Sequence, residues 1–383
     1  MSIGPPELVA DSETAAQEQF DGVDATEVGA PALPLFGRRL LADRAAMASA
    51  AFVLVLVLIA IFAPLIVKAV GAPGPYAADP SARDQFGDPT GPSPGALWPF
   101  IAMLAGAALA TASRFAPVPP IKRYGWVLIS GIAFLAGVAL AIAFWPSAHH
   151  IFGVDKEFRD LFSRVLYGAR LSLEVAAIAA AASLIIGLTF GLLVGYFRGS
   201  VGVAISRLID ALFALPLLLL ALGMAAACKL ARGCLGGVLH PGLAVVIVVI
   251  ALVNSIFIAR VMRDQVLSLR EKRFVETARS LGTSNARIIF REILPGVLAP
   301  IAGYAALIIA QDVLFIAALS YLGIGIQFPR ASWGAMLADA NPVLGTAWWY
   351  MLFPGAALLL TVLAFNLLGD GLRDALNPRV SRP

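Results

Sequence analysis

The residues whose spacing is most informative lie in a polar and basic segment, residues 263–295, between two apolar stretches. The pattern is typical of a short helix, a glycine break and a second helix that stops at a proline. Ala278 and Gly282 are four residues apart, so on a helix they would share one face that carries almost no side chain. A face this flat fits a groove of another protein, and the chemistry we predict here is docking. The predicted docking residues are Glu276, Ala278, Gly282, Ile293 and Pro295.

An ordinary basic loop that binds anionic lipid is the alternative interpretation of this segment. It would explain the arginines and lysines. It explains neither the small residues on one face nor the Ile293-Leu294-Pro295 ending, and we therefore favour docking.

Polar residues inside the otherwise apolar stretches include Asn254, Gln311 and Asp312. An ionisable group in the hydrocarbon of a membrane carries a large desolvation cost, so such a residue marks a functional position by default. We predict that these residues line a translocation path. For Asp312, buried pairing with a neighbouring subunit is an equally good interpretation.

Other reactive side chains are few, since the chain has 3 His and 2 Cys. His149 and His150 are adjacent on an irregular segment and cannot face one ion as two His on one helix face could, so we expect no metal site. Cys228 and Cys234 flank a predicted outer loop, where a disulfide and two unpaired thiols both remain open. The sequence has no phosphate-binding P-loop and no serine-hydrolase or zinc-protease motif. We therefore expect no catalytic residue, no enzyme activity and no cofactor on this chain.

The composition defines the protein class. The chain of 383 residues is 60% hydrophobic and 14% charged, with a mean hydropathy of +0.85, whereas soluble proteins carry about 25% charged residues. We predict an all-α polytopic membrane protein with about eight spans, since each span needs about 20 apolar residues. The predicted spans are residues 45–67, 97–112, 126–145, 171–196, 208–227, 243–261, 297–321 and 346–368.

The orientation follows from the positive residues, most of which fall on one side of these spans. Both termini are therefore predicted to be cytoplasmic, and the net charge of +4 requires no nucleic-acid partner. Residues 1–37 contain acidic residues but no Lys or Arg, which predicts a disordered tail and no leader peptide. The predicted divisions are a cytoplasmic tail (1–44), a first span (45–68), an outer loop (69–96), an inserted pair of spans (97–147) and a core domain (155–383) that contains the docking segment.

Four segments resemble one family. The pattern E-x-A-x-x-x-G-x(10)-I-L-P begins at Glu276, and the other three are residues 159–173, residues 320–334 with Ser-Tyr-Leu-Gly-Ile-Gly and Ser-Trp-Gly, and residues 364–378 with Asn-Leu-Leu-Gly-Asp-Gly. All are similar to the dipeptide/oligopeptide/nickel permeases of bacterial ABC importers, and in particular to the second permease of the pair. The resemblance implies the transmembrane domain of a type I ABC importer, with six core spans to which residues 97–147 add two.

The same resemblance implies a function and its partners. Residues 263–295 would dock onto an ATPase subunit, and ATP would bind to the ATPases. The expected partners are a homologous second permease, two ABC ATPases, an extracytoplasmic solute-binding protein and the lipids of the bacterial inner membrane. Alternating access would carry the substrate, which we expect to be a peptide; nickel or another small solute is the alternative. A secondary transporter driven by an ion gradient is the alternative class, and it would need no docking helix.

The chain departs from the family pattern in one turn. The family usually has Gly-Thr-Asp-x-x-Gly-Arg-Asp before the fourth predicted span, whereas residues 153–160 have Val154 in place of Thr and Phe158 in place of Gly. Apolar residues at helical spacing follow this turn, and they predict a separate interfacial helix on the outer surface.

Overall fold

The computed structural model describes residues 40, 43–85, 87–92, 150–197, 200–213, 216–230, 243–326 and 329–376. The inserted pair predicted at 97–147, nearly all of the predicted tail and Cys234 lie outside these residues. The helices are α1 (Arg44–Val70), α2 (Leu161–Tyr196), α3 (Ser200–Phe213), α4 (Leu217–Leu230), α5 (Leu243–Arg270), α6 (Arg273–Ser280), α7 (Asn285–Arg287), a π-helical turn (Ile288–Ile293), α8 (Leu294–Tyr321), α9 (Trp333–Ala340), a 3-10 turn (Asn341–Val343) and α10 (Trp348–Leu376).

Within the described residues, 5 helices are long and apolar enough to cross a membrane, namely α1, α2, α5, most of α8, and α10. The prediction of an all-α polytopic membrane protein is confirmed, whereas the number of spans stays a prediction. The stretch 208–227, predicted as a single span, is divided between α3 and α4. Pro216 stands between them, and a proline inside a helix removes a backbone hydrogen bond. Its carbonyl instead accepts from Leu220 N at 3.1 Å, in the first turn of α4.

Helix α2 is continuous over 36 residues. The side chain of Asp160 caps its first turn by accepting a hydrogen bond from Ser163 N at 2.8 Å. The separate interfacial helix predicted here is therefore wrong, because its residues form the first turns of α2. Apolar residues of these turns, including Leu161 and Val165, are buried by the protein and do not lie flat on a membrane.

Helices α2 and α5 pack closely because glycines on α2 face bulky residues on α5. A Cβ atom added at Gly187 would lie 2.5 Å from Ile258 Cβ, and one added at Gly195 would lie 2.7 Å from Val266 Cβ. Small residues at a spacing of four let two membrane helices approach until their backbones almost touch. Gly187, Gly191 and Gly195 face Ile258, Met262 and Val266, respectively.

The segment after α1, residues 71–92 and hereafter the outer segment, folds back over the N-terminal end of α2, hereafter its outer end. Ser163 Oγ donates to the carbonyl of Pro73 at 2.7 Å, and Val154 N donates to the carbonyl of Thr90 at 3.1 Å. This contact places the departing turn, residues 153–160, between the outer segment and α2. The turn and the outer segment are thus one structural unit.

Candidate coupling site and the polar residues of the spans

The docking segment begins within the last turns of α5 and continues beyond its end. Helix α5 ends at Arg270 and α6 begins at Arg273, so α6 continues from a membrane span after a short turn. Val275 anchors α6, since its side chain is fully buried in an apolar cluster with Val266 and Ile288. The position of α6 is therefore fixed by the C-terminal end of α5, hereafter its inner end.

Gly282 ends this helix through a left-handed turn. Its φ is 75°, Gly282 N donates to Arg279 O at 3.0 Å, and Thr283 N donates to Ala278 O at 3.1 Å. These two bonds are those of a Schellman motif, which satisfies the last carbonyls of a helix. The glycine break predicted in this segment is therefore confirmed, and it ends α6.

The shared small face predicted for Ala278 and Gly282 is not present. Helix α6 ends at Ser280, and the left-handed turn carries Gly282 out of the helix. Ala278 is half-buried and packs against the apolar cluster of its own chain that contains Val275, hereafter the inner cluster. Gly282 is exposed. The small side chain of Ala278 therefore contributes to packing within its own chain. The prediction that these residues dock onto a partner stays a prediction.

Three large apolar residues are exposed on the surface of the segment. Leu281 is 79% exposed, Phe290 66% and Phe274 42%. Exposed apolar side chains in a segment that lies outside the membrane spans make it a candidate interaction surface. Sequence reasoning passed over them, although large apolar residues within a basic segment were the available signal. Glu276 is also exposed and lies beside Phe274 and Val275 on α6.

The other two predicted docking residues differ from each other. Ile293 is fully buried in the inner cluster, so it anchors the segment, while Pro295 is exposed. The predicted stop at Pro295 is wrong, since the chain runs from the π-helical turn directly into α8. A proline is tolerated at the first positions of a helix, where its missing N–H loses no bond.

The polar residues predicted for the spans separate into a pair and a single residue. Asn254 Nδ2 donates a short hydrogen bond to Asp312 Oδ1, and both side chains are buried between α5 and α8. Asp312 Oδ2 is buried without a hydrogen-bond partner among the described residues. Gln311 is exposed. Because Asp312 has a partner within its own chain, the path role of these residues stays a prediction.

A buried ionic cluster holds the outer end of α2. Asp155 Oδ2 lies 2.8 Å from Arg159 Nε and 3.2 Å from Arg164 Nε, and Asp155 Oδ1 accepts from the backbone N–H groups of Glu157 and Arg159. All three ionic side chains are buried. A buried charge is stable only when it is paired and hydrogen-bonded, which this arrangement provides for Asp155. The cluster, hereafter the outer cluster, was not predicted as a group.

His150 joins the outer segment to the cap of α2. Its Nδ1 is 3.1 Å from Asp160 Oδ1 and its Nε2 is 3.4 Å from Asp79 Oδ2. The hydrogen bond with Asp160 raises the pKa of His150, against the opposing effect of burial. Hydrogen bonds from Ser81 lower the pKa of Asp79. Across the described part of the chain, no group of three or more His, Cys, Asp or Glu could hold a metal ion. His149 lies outside that part.

Cys228, in α4, is disulfide-bonded. The sequence contains one other cysteine, Cys234, which lies outside the described residues. The pairing of these two cysteines stays a prediction.

The long apolar helices and the polar segment that continues from one of them are those of a polytopic membrane protein. Residues 187–382 match the family described as the binding-protein-dependent transport system inner membrane component. Residues 35–88 match the N-terminal TM domain of oligopeptide transport permease C. The chain belongs to this permease family, whose members are multi-pass inner-membrane components and work with a binding protein.

Named relatives are similar over a large part of the chain. The dipeptide transport system permease protein DppC of Alkalihalophilus pseudofirmus is 44% identical over 235 residues, which are 61% of this chain and 74% of the relative. The glutathione transport system permease protein GsiD of Escherichia coli is 43% identical with the same coverage. Among solved structures, the inward-facing MetNI methionine ABC transporter has a TM-score of 0.48 at 19% identity, covering 57% of this chain and 98% of the matched chain.

Proposed function

We propose that this chain is the permease subunit of an ATP-driven importer of peptides. The docking segment carries the proposal: exposed Phe274, Leu281 and Phe290 lie on a helix and turns that continue from α5. The relatives named above support the substrate class, since one is named for dipeptides and the other for glutathione, which is itself a tripeptide.

The proposed complex contains a homologous second permease, two ABC ATPases that bind ATP, and an extracytoplasmic solute-binding protein. A segment as small as α6 and its following turns offers room for one ATPase. Because an ATPase pair needs two such segments, a second permease completes the complex. Both termini would be cytoplasmic, on the same side as the arginine-rich docking segment.

The proposed mechanism is alternating access without covalent chemistry on this chain. Closure of the ATPases around ATP moves α6, and α5 transmits the movement because Val275 holds α6 against it. The close packing of α2 on α5 carries α2 along with it. The pore then opens toward the binding protein, and hydrolysis resets it.

The experiment is reconstitution of the complete complex in proteoliposomes with the binding protein outside. Uptake of labelled dialanine and of glutathione is measured with ATP inside, with a non-hydrolysable ATP analogue, and with an imposed proton gradient alone. We expect uptake with ATP only. Uptake driven by the gradient would favour a secondary transporter, and uptake of Ni²⁺ but of neither peptide would contradict the substrate class.

A matched pair of variants tests the docking surface in the same system. Leu281→Asp places a charge on the most exposed apolar residue of the segment and is expected to abolish co-purification of the ATPases. Leu344→Asp makes the same change at an exposed leucine near the opposite end of the molecule and should leave co-purification intact. Equal binding in both variants would contradict this docking surface.

A further inference from the structure

The inner end of α2 is held by the residue that ends α5. Arg270 Nη1 donates to the carbonyls of Gly195 at 2.9 Å and Tyr196 at 3.0 Å, and the arginine is buried. These are the last carbonyls of α2, which have no partners within the helix and carry its negative partial charge. Arg270 thereby fixes the end of α2 to the start of the docking segment.

The side chain of Tyr196 makes a second connection to the same segment. Its ring is buried, and its hydroxyl donates to Asn285 Oδ1 at 2.8 Å. The Arg279 guanidinium lies 6.0 Å from the ring centroid. Arg279 and Asn285 lie on opposite sides of the Gly282 turn, so Tyr196 contacts both halves of the docking segment.

Close packing of α2 against α5 restricts movement of α2 relative to the docking segment. Gly191 and Gly195 place the backbone of α2 directly against Met262 and Val266 on α5. A close-packed contact of this kind transmits displacement because it cannot be compressed. The outer end of the same helix is held by the outer cluster.

We propose that Tyr196 is a positioning residue for energy coupling, because its hydroxyl bond to Asn285 makes α2 follow the docking segment. The proposal rests on the proposed function, ATP-driven import. Without the bond, the docking segment moves with the ATPases while α2 follows only in part. ATP is then hydrolysed without a matching movement of the outer end of α2, and the ATP used for each imported molecule rises.

The test removes single atoms from this bond. Tyr196→Phe removes the hydroxyl and keeps the ring under Arg279, and Asn285→Ala removes the acceptor. Asn285→Asp keeps an acceptor oxygen and is the conservative rescue. Tyr304→Phe, which removes a tyrosine hydroxyl on α8, is the matched control.

The measured quantity is the ATP hydrolysed per dialanine imported by the complete complex in proteoliposomes. Losing one hydrogen bond shifts an equilibrium about five-fold. We expect a rise of about that size in Tyr196→Phe and Asn285→Ala, with no further rise in the double variant. We expect wild-type ratios in Asn285→Asp and Tyr304→Phe.

Several results would overturn the inference. An unchanged ratio in Tyr196→Phe and Asn285→Ala would do so, as would a loss of complex abundance with an unchanged ratio, which indicates simple packing. Additive effects in the double variant would also refute it, because the two residues would then act separately. Failure of the wild-type complex to import dialanine with ATP would overturn the proposed function and this inference together.

Discussion

Substitutions at Gly282 separate a backbone effect from a surface effect in the docking segment. The glycine has φ 75°, and nothing among the described residues lies within 4 Å of an added Cβ atom. A side chain at this position would therefore meet no other group of the described chain. Its cost comes from the left-handed backbone, which is about 1–2 kcal/mol for an L-residue. Asn tolerates this conformation better than other residues, whereas a β-branched residue is a strong outlier there.

We therefore expect a graded series, in which Gly282→Asn is close to wild type, Gly282→Ala is weaker and Gly282→Val is weakest. A strain of about 1–2 kcal/mol corresponds to a change of about 5–30-fold in the population of the docking-competent turn. The assay is co-purification of the ATPases with a tagged permease, together with substrate-stimulated ATP hydrolysis. Membrane abundance of the permease should be equal in all variants, since the Gly282 turn lies outside the apolar core.

Two results would refute this reasoning in different ways. Wild-type binding by Gly282→Val would show that the left-handed turn is not needed for docking. Binding by Gly282→Asn as weak as that of Gly282→Val would show that the surface, and not the backbone, decides. Close approach of an ATPase to Gly282 would then be the cause.

Three further predictions concern the spans and the outer surface. Gly191→Ala should lower the stability of the purified protein by about 1–3 kcal/mol, because the new methyl group overpacks against α5. The control Gly223→Ala, with no described atom within 4 Å of the new Cβ, should raise the stability by up to about 1 kcal/mol. Equal melting temperatures in the two variants would contradict the close packing. Asp312→Leu should lower stability by about 1–3 kcal/mol because it leaves the buried Asn254 amide unsatisfied. Changing both residues to Leu should restore the melting temperature. If substrate uptake is also restored in the double variant, the pair has only a structural role. His150 has a raised pKa, so its stabilising charge is complete below about pH 6.5 and is lost as the pH rises through the raised value. Melting temperatures should therefore fall as the pH rises above about 6.5. His150→Gln should flatten this dependence, and an unchanged slope would contradict the prediction.

The sequence was sufficient for the 5 long apolar helices among the described residues, because hydropathy and length decide which helices can cross a membrane. It was also sufficient for the Gly282 turn, since few residues other than glycine adopt a positive φ. It was not sufficient for the contacts of the docking helix. The prediction that Ala278 and Gly282 share a face assumed that the helix continued through both, and the helix ends at Ser280.

The contacts that sequence reasoning did not predict have a common physical cause. Asn254 and Asp312 are 58 residues apart in sequence and meet only because α5 and α8 pack together. Similarly, the glycines of α2 are visible in the sequence, but the helix that fills their groove is not. The amphipathic start of α2 suggested a membrane surface, and a protein surface, the outer segment, covers it instead. Amphipathic periodicity indicates that a face is covered without indicating what covers it.

The departure from the family pattern at Phe158 is explained by the outer segment. The family usually has glycine at this position, and Phe158 adopts φ 60°, a conformation that costs an ordinary residue about 1–2 kcal/mol. The guanidinium of Arg83 lies 4.3 Å from the centroid of its ring, and Asp79 N donates to its carbonyl at 2.8 Å. Cation–π contacts of this kind contribute about 0.5–1 kcal/mol at exposed sites and more when desolvated. These contacts offset much of the backbone strain.

The contacts of Phe158 also hold the outer end of α2. Helix α2 is about 54 Å long at 1.5 Å per residue, well beyond the hydrocarbon thickness of about 30 Å, so some of its turns project from the membrane. The outer cluster holds those turns through Asp155, and Phe158 lies between Asp155 and the cap at Asp160. A bulky side chain in place of glycine therefore gives the outer segment a group to pack on. It ties the chain that follows α1 to the end of α2 that faces away from the docking segment.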